Sequence, residues 1–276
     1  MNDALRVLGI NADWTFLFNV GTLIMLRFVM ITSIIPFLVG KPVPGMIRLG
    51  FSLVLTVFLF PYLAPADAAI IPKAPMALFL LYFKEAFYGI AIGIAAGIVF
   101  HAFEAAGGVI DNQRGAAQAR LLIPQLGEQT TLFGSLNFQF GIVIFLTIGG
   151  HLYFFKTLIE SYDVLPLFEL PKHRIDMLAM TDQFIRDTGG ILVTAIQLTA
   201  PILISIFVTD VVLGIMSKSA PAINVYELGF AIRGILGVVI YFLALGLAVT
   251  QMGKISMGMI GQVQRVIDFL ARGTAP

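Results

Sequence analysis

Residues Met76–Phe103 read MALFLLYFKEAFYGIAIGIAAGIVFHAF, an apolar run whose only residues of fixed charge are Lys84 and Glu85. Continuous apolar character of this length marks a helix able to cross a bilayer, which needs about 20 residues. A membrane β-barrel strand would instead alternate apolar and polar residues in segments of roughly ten. Within the run, Gly89, Gly93 and Gly97 recur at every fourth position, with Ala91 and Ala95 nearby. That spacing clears side chains from one stripe of a helix, so that a second backbone can approach closely. The stripe reads as a packing surface and carries no ligand chemistry.

Five further apolar segments flank this one: Trp14–Val39, Met46–Leu63, Leu132–Gly150, Gly190–Met216 and Phe230–Thr250. The second is short, and the third is interrupted by its adjacent charges. Gly40 to Gly45 forms a proline-containing turn, and Ala64–Pro75 is a linker with Pro65, Pro72 and Pro75, residues that do not continue a helix. Phe155–Gly189 holds many of the acidic residues and is the one stretch that reads as soluble, with an amphipathic helix expected over Arg174–Arg186. After the last segment, Ile255, Met259, Val263, Val266, Ile267 and Leu270 recur at helical spacing opposite Lys254, Gln262, Arg265, Asp268 and Arg272. Such a tail, residues 254–272, lies on a membrane surface or docks on a partner, the surface being the commoner case.

Composition agrees with the segments. The chain has 276 residues, 58% of them hydrophobic and 12% charged, and a mean hydropathy of +0.94. A soluble domain carries about a quarter charged residues, so this chain cannot coat a water-soluble surface. The expectation is an all-α membrane protein, one domain over residues 1–276. A net charge of +1 without basic clusters gives no attraction to nucleic acid. The absence of cysteine excludes disulfides, thiolate nucleophiles and cysteine-bound metals. The Trp14–Val39 stretch is too long for a signal-peptide core and contains Arg27, so it is expected to be retained. If six segments cross, the excess of Lys and Arg on one side favours cytoplasmic termini.

Arg27, Lys84, Glu85, Asp210 and Arg233 lie within or beside apolar stretches, and Lys218 follows one of them. Charges at such positions face a partner or a wet cavity. Without an ordered series of carboxylates, structural pairing is favoured over an ion or proton relay. His101 and Glu104 share a helix face, but no second histidine and no HExxH accompany them, and neither a phosphate-binding loop nor a GxSxG elbow occurs. His151 and His173 have no evident catalytic companions. No enzyme activity and no cofactor are expected.

The most unusual stretch is Gly107-Gly108-Val109-Ile110-Asp111-Asn112-Gln113-Arg114-Gly115-Ala116. Two glycines loosen the chain, and four polar residues follow at the end of a long apolar segment. At membrane depth such a stretch is tolerated only inside protein or along a water-filled passage; an ordinary interfacial loop is the equal alternative.

These features, in order along nearly the whole chain, resemble the T/R subunit of the type III export gate, the family of SctT in injectisomes and FliR in flagella. The resemblance rests on Arg27 with Ile35-Pro36-Phe37-Leu38, Lys84-Glu85-Ala86, Gly89-Ile90-Ala91-Ile92-Gly93, Ile110-Asp111-Asn112-Gln113-Arg114-Gly115, Asp210-Val211-Val212-Leu213-Gly214 and Ser217-Lys218-Ser219-Ala220-Pro221-Ala222-Ile223-Asn224. The IDNQRG stretch is closer to the injectisome branch.

The resemblance implies bent helical hairpins similar to a fusion of the SctR-like and SctS-like folds. One copy would close a helical ring with SctR and SctS (FliP- and FliQ-like), joined by SctU (FlhB-like) and SctV (FlhA-like) in the bacterial inner membrane, with part of the gate on the periplasmic side. It further implies that a loop matching Gly107 to Arg120, with Gly107, Gly108, Ile110, Asp111, Asn112, Gln113, Arg114 and Gly115, plugs a passage for unfolded secreted proteins. Much of the apolar surface would then meet partner subunits, making six regular crossings a weaker inference. The alternative is a secondary transporter for a small solute, hinted at by Lys84-Glu85 and Pro201 alone.

Overall fold

A computed structural model describes residues 14–38, 43–64, 71–72, 74–115, 131–170, 177–222 and 224–271. Among them are seven helices and no strand: α1 (Trp14–Ile34), α2 (Gly45–Leu63), α3 (Pro75–Gln113), α4 (Leu132–Thr147), α5 (Gly150–Val164), α6 (Met177–Ser219) and α7 (Val225–Ala271). Five are long and apolar enough to cross a membrane, and α4 with α5 makes a sixth candidate, bent by 74° at its break. The chain is thus an all-α membrane protein.

Local chemistry sets the ends. Gly115 follows α3 with φ 89°, a left-handed conformation that terminates a helix and favours glycine. Gly149 (φ 75°) does the same after α4, its N–H bonding the Leu146 carbonyl at 3.1 Å. A Cβ on the next residue, Gly150, would collide with the Phe145 ring, so the bend needs glycine at both positions. At the end of α5, Leu165 N–H still reaches Ser161 O at 2.8 Å, and Pro166 cannot extend the pattern.

Several helices run beyond the expected segments. The third extends past Phe103 to Gln113, so Gly107–Gln113 is helix where a loop was expected. The fifth starts at Met177 instead of Gly190. The sixth segment and the amphipathic tail are one 47-residue helix, since Gly253 alone does not break it. The tail's apolar face is covered by the chain itself, with Met259, Val263, Val266 and Leu270 fully buried, which corrects the expectation of a membrane-surface helix. The stretch expected to be soluble also supplies core residues, Leu158, Tyr162, Leu165 and Leu167. His173 and Arg174 lie outside the described residues.

The chain divides into two compact units. The first comprises Met1–Gly97, Leu152–Phe184 and Ile260–Pro276. Here α1 packs on α2, with Thr32 and Ser52 hydroxyls 3.0 Å apart between them. The glycine stripe of α3 meets α1: a Cβ on Gly89 would stand 2.7 Å from the Arg27 carbonyl oxygen, and one on Gly93 3.1 Å from Ile34 Cβ. Aromatic pairs fill the rest, including Phe37 against Phe154 at 5.3 Å, edge to face.

The second unit comprises Ile98–His151 and Ile185–Met259. Its core joins Ile110, Phe133, Ile202, Ile206 and Tyr241, with Phe133 and Tyr241 rings 4.6 Å apart. The buried Asn137 side chain accepts a 2.7 Å hydrogen bond from the Tyr241 hydroxyl, satisfying two polar groups in an apolar setting. Here α3 and α4 meet at glycines again, since a Cβ on Gly107 would collide with the Phe133 carbonyl and one on Gly134 would stand 3.2 Å from the Glu104 carbonyl oxygen.

Gly89→Ala is therefore expected to destabilise the detergent-solubilised protein by about 1–3 kcal/mol through overpacking, read as a lowered thermal midpoint. Gly258→Ala, where a Cβ meets nothing within 4 Å, should leave the midpoint unchanged or slightly raised.

Candidate functional site

The deepest charges of the first unit sit at one crossing of α1 and α3. Arg27 and Glu85 are fully buried and Lys84 nearly so. Arg27 Nε donates to Glu85 Oε2 at 2.6 Å, Nη1 to Ser161 Oγ at 3.3 Å and Nη2 to the Leu165 carbonyl at 3.0 Å. The guanidinium stacks on Tyr162, 3.9 Å from the ring centroid. Lys84 Nζ donates to three carbonyls, of Pro166 (2.7 Å), Leu167 (2.9 Å) and Glu169 (2.9 Å), and lies 3.0 Å from Glu85 Oε1.

Gly89 is one turn beyond Glu85 and touches the backbone of Arg27, so the glycine that lets the helices close also brings the charges together. Arg27 meets the carbonyl of Leu165, the residue that follows α5, where the helix dipole favours positive charge, and Lys84 meets carbonyls of the segment beyond it. Buried charges are tolerable only with such partners. The arrangement can hold three chain segments together, and it spends its donors on the chain's own backbone. Ser161, Tyr162 and Tyr88, whose ring centre lies 5.6 Å from the Arg27 guanidinium, were not singled out from sequence, because nothing local ties them to Arg27.

Removing one partner should be far worse than removing both. Glu85→Ala is expected to cost about 3–5 kcal/mol by stranding Arg27, whereas Arg27→Met with Glu85→Met should be milder than either single change. Yield and thermal midpoint of the solubilised protein measure both.

In the second unit, the unusual polar stretch closes α3. Ile110 and Asp111 are buried, Asn112 and Gln113 are exposed, Arg114 is half-buried and Gly115 is buried. Asp111 Oδ2 accepts the Phe133 N–H of α4 at 2.9 Å. Arg114 Nε donates to the Gly234 carbonyl of α7 at 3.1 Å, and its guanidinium lies 4.8 Å from the centre of the Phe133 ring. Gly107 lies in helical backbone packed closely on Phe133, and the positive φ of Gly115 is where glycine's conformational freedom is needed. Gly108 lies in the same helix with ordinary contact to Thr131. Residues 116–120 of the expected plug lie outside the described residues. Gly234, Gly237, Phe133 and Asn137 are partners that the sequence reading missed; a polar Asn137 in an apolar run was the one local signal.

The other singled-out charges are separate. Asp210 and Arg233 form a 2.6 Å ion pair between α6 and α7, both partly exposed. Lys218 is exposed at the end of α6. His101 and Glu104 are 3.2 Å apart on the surface, and among the described residues no group of three or more potential ligands could hold a metal.

Comparison with known proteins agrees with this architecture. Residues 18–259 match the family described as bacterial export proteins, family 1. The chain is 36% identical over 212 residues to the Yop proteins translocation protein T of Yersinia pestis, covering 77% of this chain and 80% of that protein. It is 27% identical to the flagellar biosynthetic protein FliR of Bacillus subtilis, covering 79% and 82%. It is 28% identical to the surface presentation of antigens protein SpaR of Shigella flexneri, covering 60% and 62%. With a family match over most of its length, the chain belongs to family 1 of the bacterial export proteins and is an export-apparatus subunit.

Proposed function

We propose that this chain is a core, pore-forming subunit of a type III export gate in the bacterial inner membrane, acting without catalysis. The observation that carries this reading is the mismatch between length and burial in α6 and α7. At 43 and 47 residues they extend about 65 and 70 Å, against a hydrocarbon layer of about 30 Å. In their most apolar 18-residue stretches only 22% and 11% of residues are buried, against 72% in α3. Along α6, exposed large apolar side chains run from Ile185 to Ile215, about 45 Å of helix, more than the hydrocarbon layer spans, and such surface calls for protein cover.

The cover is assigned to the small helical subunits SctR and SctS, with SctU and SctV joining the finished gate, part of it on the periplasmic side. Higher identity to a Yop translocation protein than to a FliR favours the injectisome branch. The cargo would be unfolded secreted protein.

Within this reading, Gly107–Gly115 belongs to the element that closes the passage. It is the polar end of a largely apolar helix, and Asn112 and Gln113 are exposed on it. The small-solute transporter reading gains nothing from Lys84 and Glu85, whose contacts are within the chain.

The natural absence of cysteine makes the closure element testable. Gln113→Cys in the assembled complex should react slowly with a membrane-impermeant maleimide at rest and at least tenfold faster when a stalled export substrate holds the gate open. Equal rates in both states would remove residues 107–115 from the closing element.

A further inference from the structure

We infer that Asp111 and Arg114 are positioning residues, forming a clasp that ties the C-terminal end of α3 to the N-terminus of α4 and to α7 and thereby sets the closed state of the passage. The inference rests on the closure reading of residues 107–115 and adds what holds that element in place.

Two side chains join three helices. The Phe133 N–H is among the first amides of α4, which have no acceptor within their own helix. Thr131, at the position before α4, makes no side-chain cap. The acceptor comes instead from Asp111, 22 residues earlier in sequence, and a carboxylate at a helix N-terminus also meets the positive end of the dipole. Arg114 completes the clasp. It is 3.8 Å from Asp111, lies against the Phe133 ring and donates to Gly234 O. Its stem rests in a notch of α7: a Cβ on Gly237 would stand 2.5 Å from Arg114 Cγ and Cδ.

The bonds of the clasp run from side chains to backbone groups at a helix terminus and on a helix surface. Releasing them leaves the helices' own hydrogen bonds intact, along with the apolar contacts of Ile110, Phe133 and Tyr241. That is the property required of a two-state contact, as opposed to a fixed one such as Gly107 against the Phe133 carbonyl. Charge-assisted bonds of this kind are among the stronger polar contacts, so their loss should move a resting equilibrium measurably.

The test is the resting ion conductance of the complete export complex, purified with its partner subunits and reconstituted in planar bilayers. Asp111→Ala, Arg114→Ala and Gly237→Ala should each raise the resting open fraction about tenfold, and Asp111→Asn, which retains an acceptor for Phe133 N–H, should restore most of the closure. Gly237→Ala should have no further effect when Arg114 is already alanine, because the group it displaces is gone; a general packing defect would persist. A closed resting state in both Arg114→Ala and Gly237→Ala, or an equal increment from Gly237→Ala in both backgrounds, overturns the clasp. Should Asp111→Ala fail to assemble, Gly237→Ala and Arg114→Ala, which leave the α4 cap in place, decide the matter. If thiol reactivity at residue 113 responds to substrate while these variants stay closed, the clasp fails and the closure reading stands; if that reactivity is indifferent to substrate, the closure reading fails by itself.

Discussion

A guanidinium buried among apolar helices must be matched by its own chain, and Arg27 is matched from several directions: Glu85, Ser161, Leu165 and the Tyr162 ring. The first unit is organised around this requirement. Gly89 admits the α1 backbone, Lys84 gathers the carbonyls that follow α5, and the pairs Phe28–Tyr162 and Phe37–Phe154 pack among the same elements. Replacing such a cluster by hydrocarbon of equal volume can preserve stability. What the cluster supplies beyond energy is geometry: few alternative packings would satisfy all of these donors at once.

The second unit solves a similar problem at a helix terminus. Its core of Ile110, Phe133, Ile202, Ile206 and Tyr241 is apolar, and its polar groups find partners across helices, Asn137 with Tyr241 and Asp111 with the Phe133 amide. In both units glycine allows the approach and a charged or polar group exploits it.

Helix content was legible because continuous apolar runs leave no other economical state in a membrane. The ends of helices were less so. Gly107-Gly108 reads locally as loosening, but the α3 helix continues through both, with Gly107 packed closely on α4. The Val225–Ala271 helix was divided in two because hydropathy falls near Lys254 while helical backbone continues. Of the candidate site residues, Arg27, Lys84 and Glu85 were legible as charges out of place, and the IDNQRG stretch as polarity out of place. Their partners were not, since Ser161, Leu165, Phe133 and Gly234 lie 22 to 138 residues away from the groups they engage. Long-range partners leave no local periodicity.

Apolar side chains left exposed along α6 from Ile185 to Ile215, about 45 Å of helix against a hydrocarbon layer of about 30 Å, are the strongest physical link between this fold and the proposed assembly. The direct test is the mass and composition of the complex extracted in mild detergent, by native mass spectrometry. The account predicts the 30.0 kDa chain as one copy among several copies of smaller helical membrane proteins. A stable, folded chain recovered alone, or only with copies of itself, would contradict it.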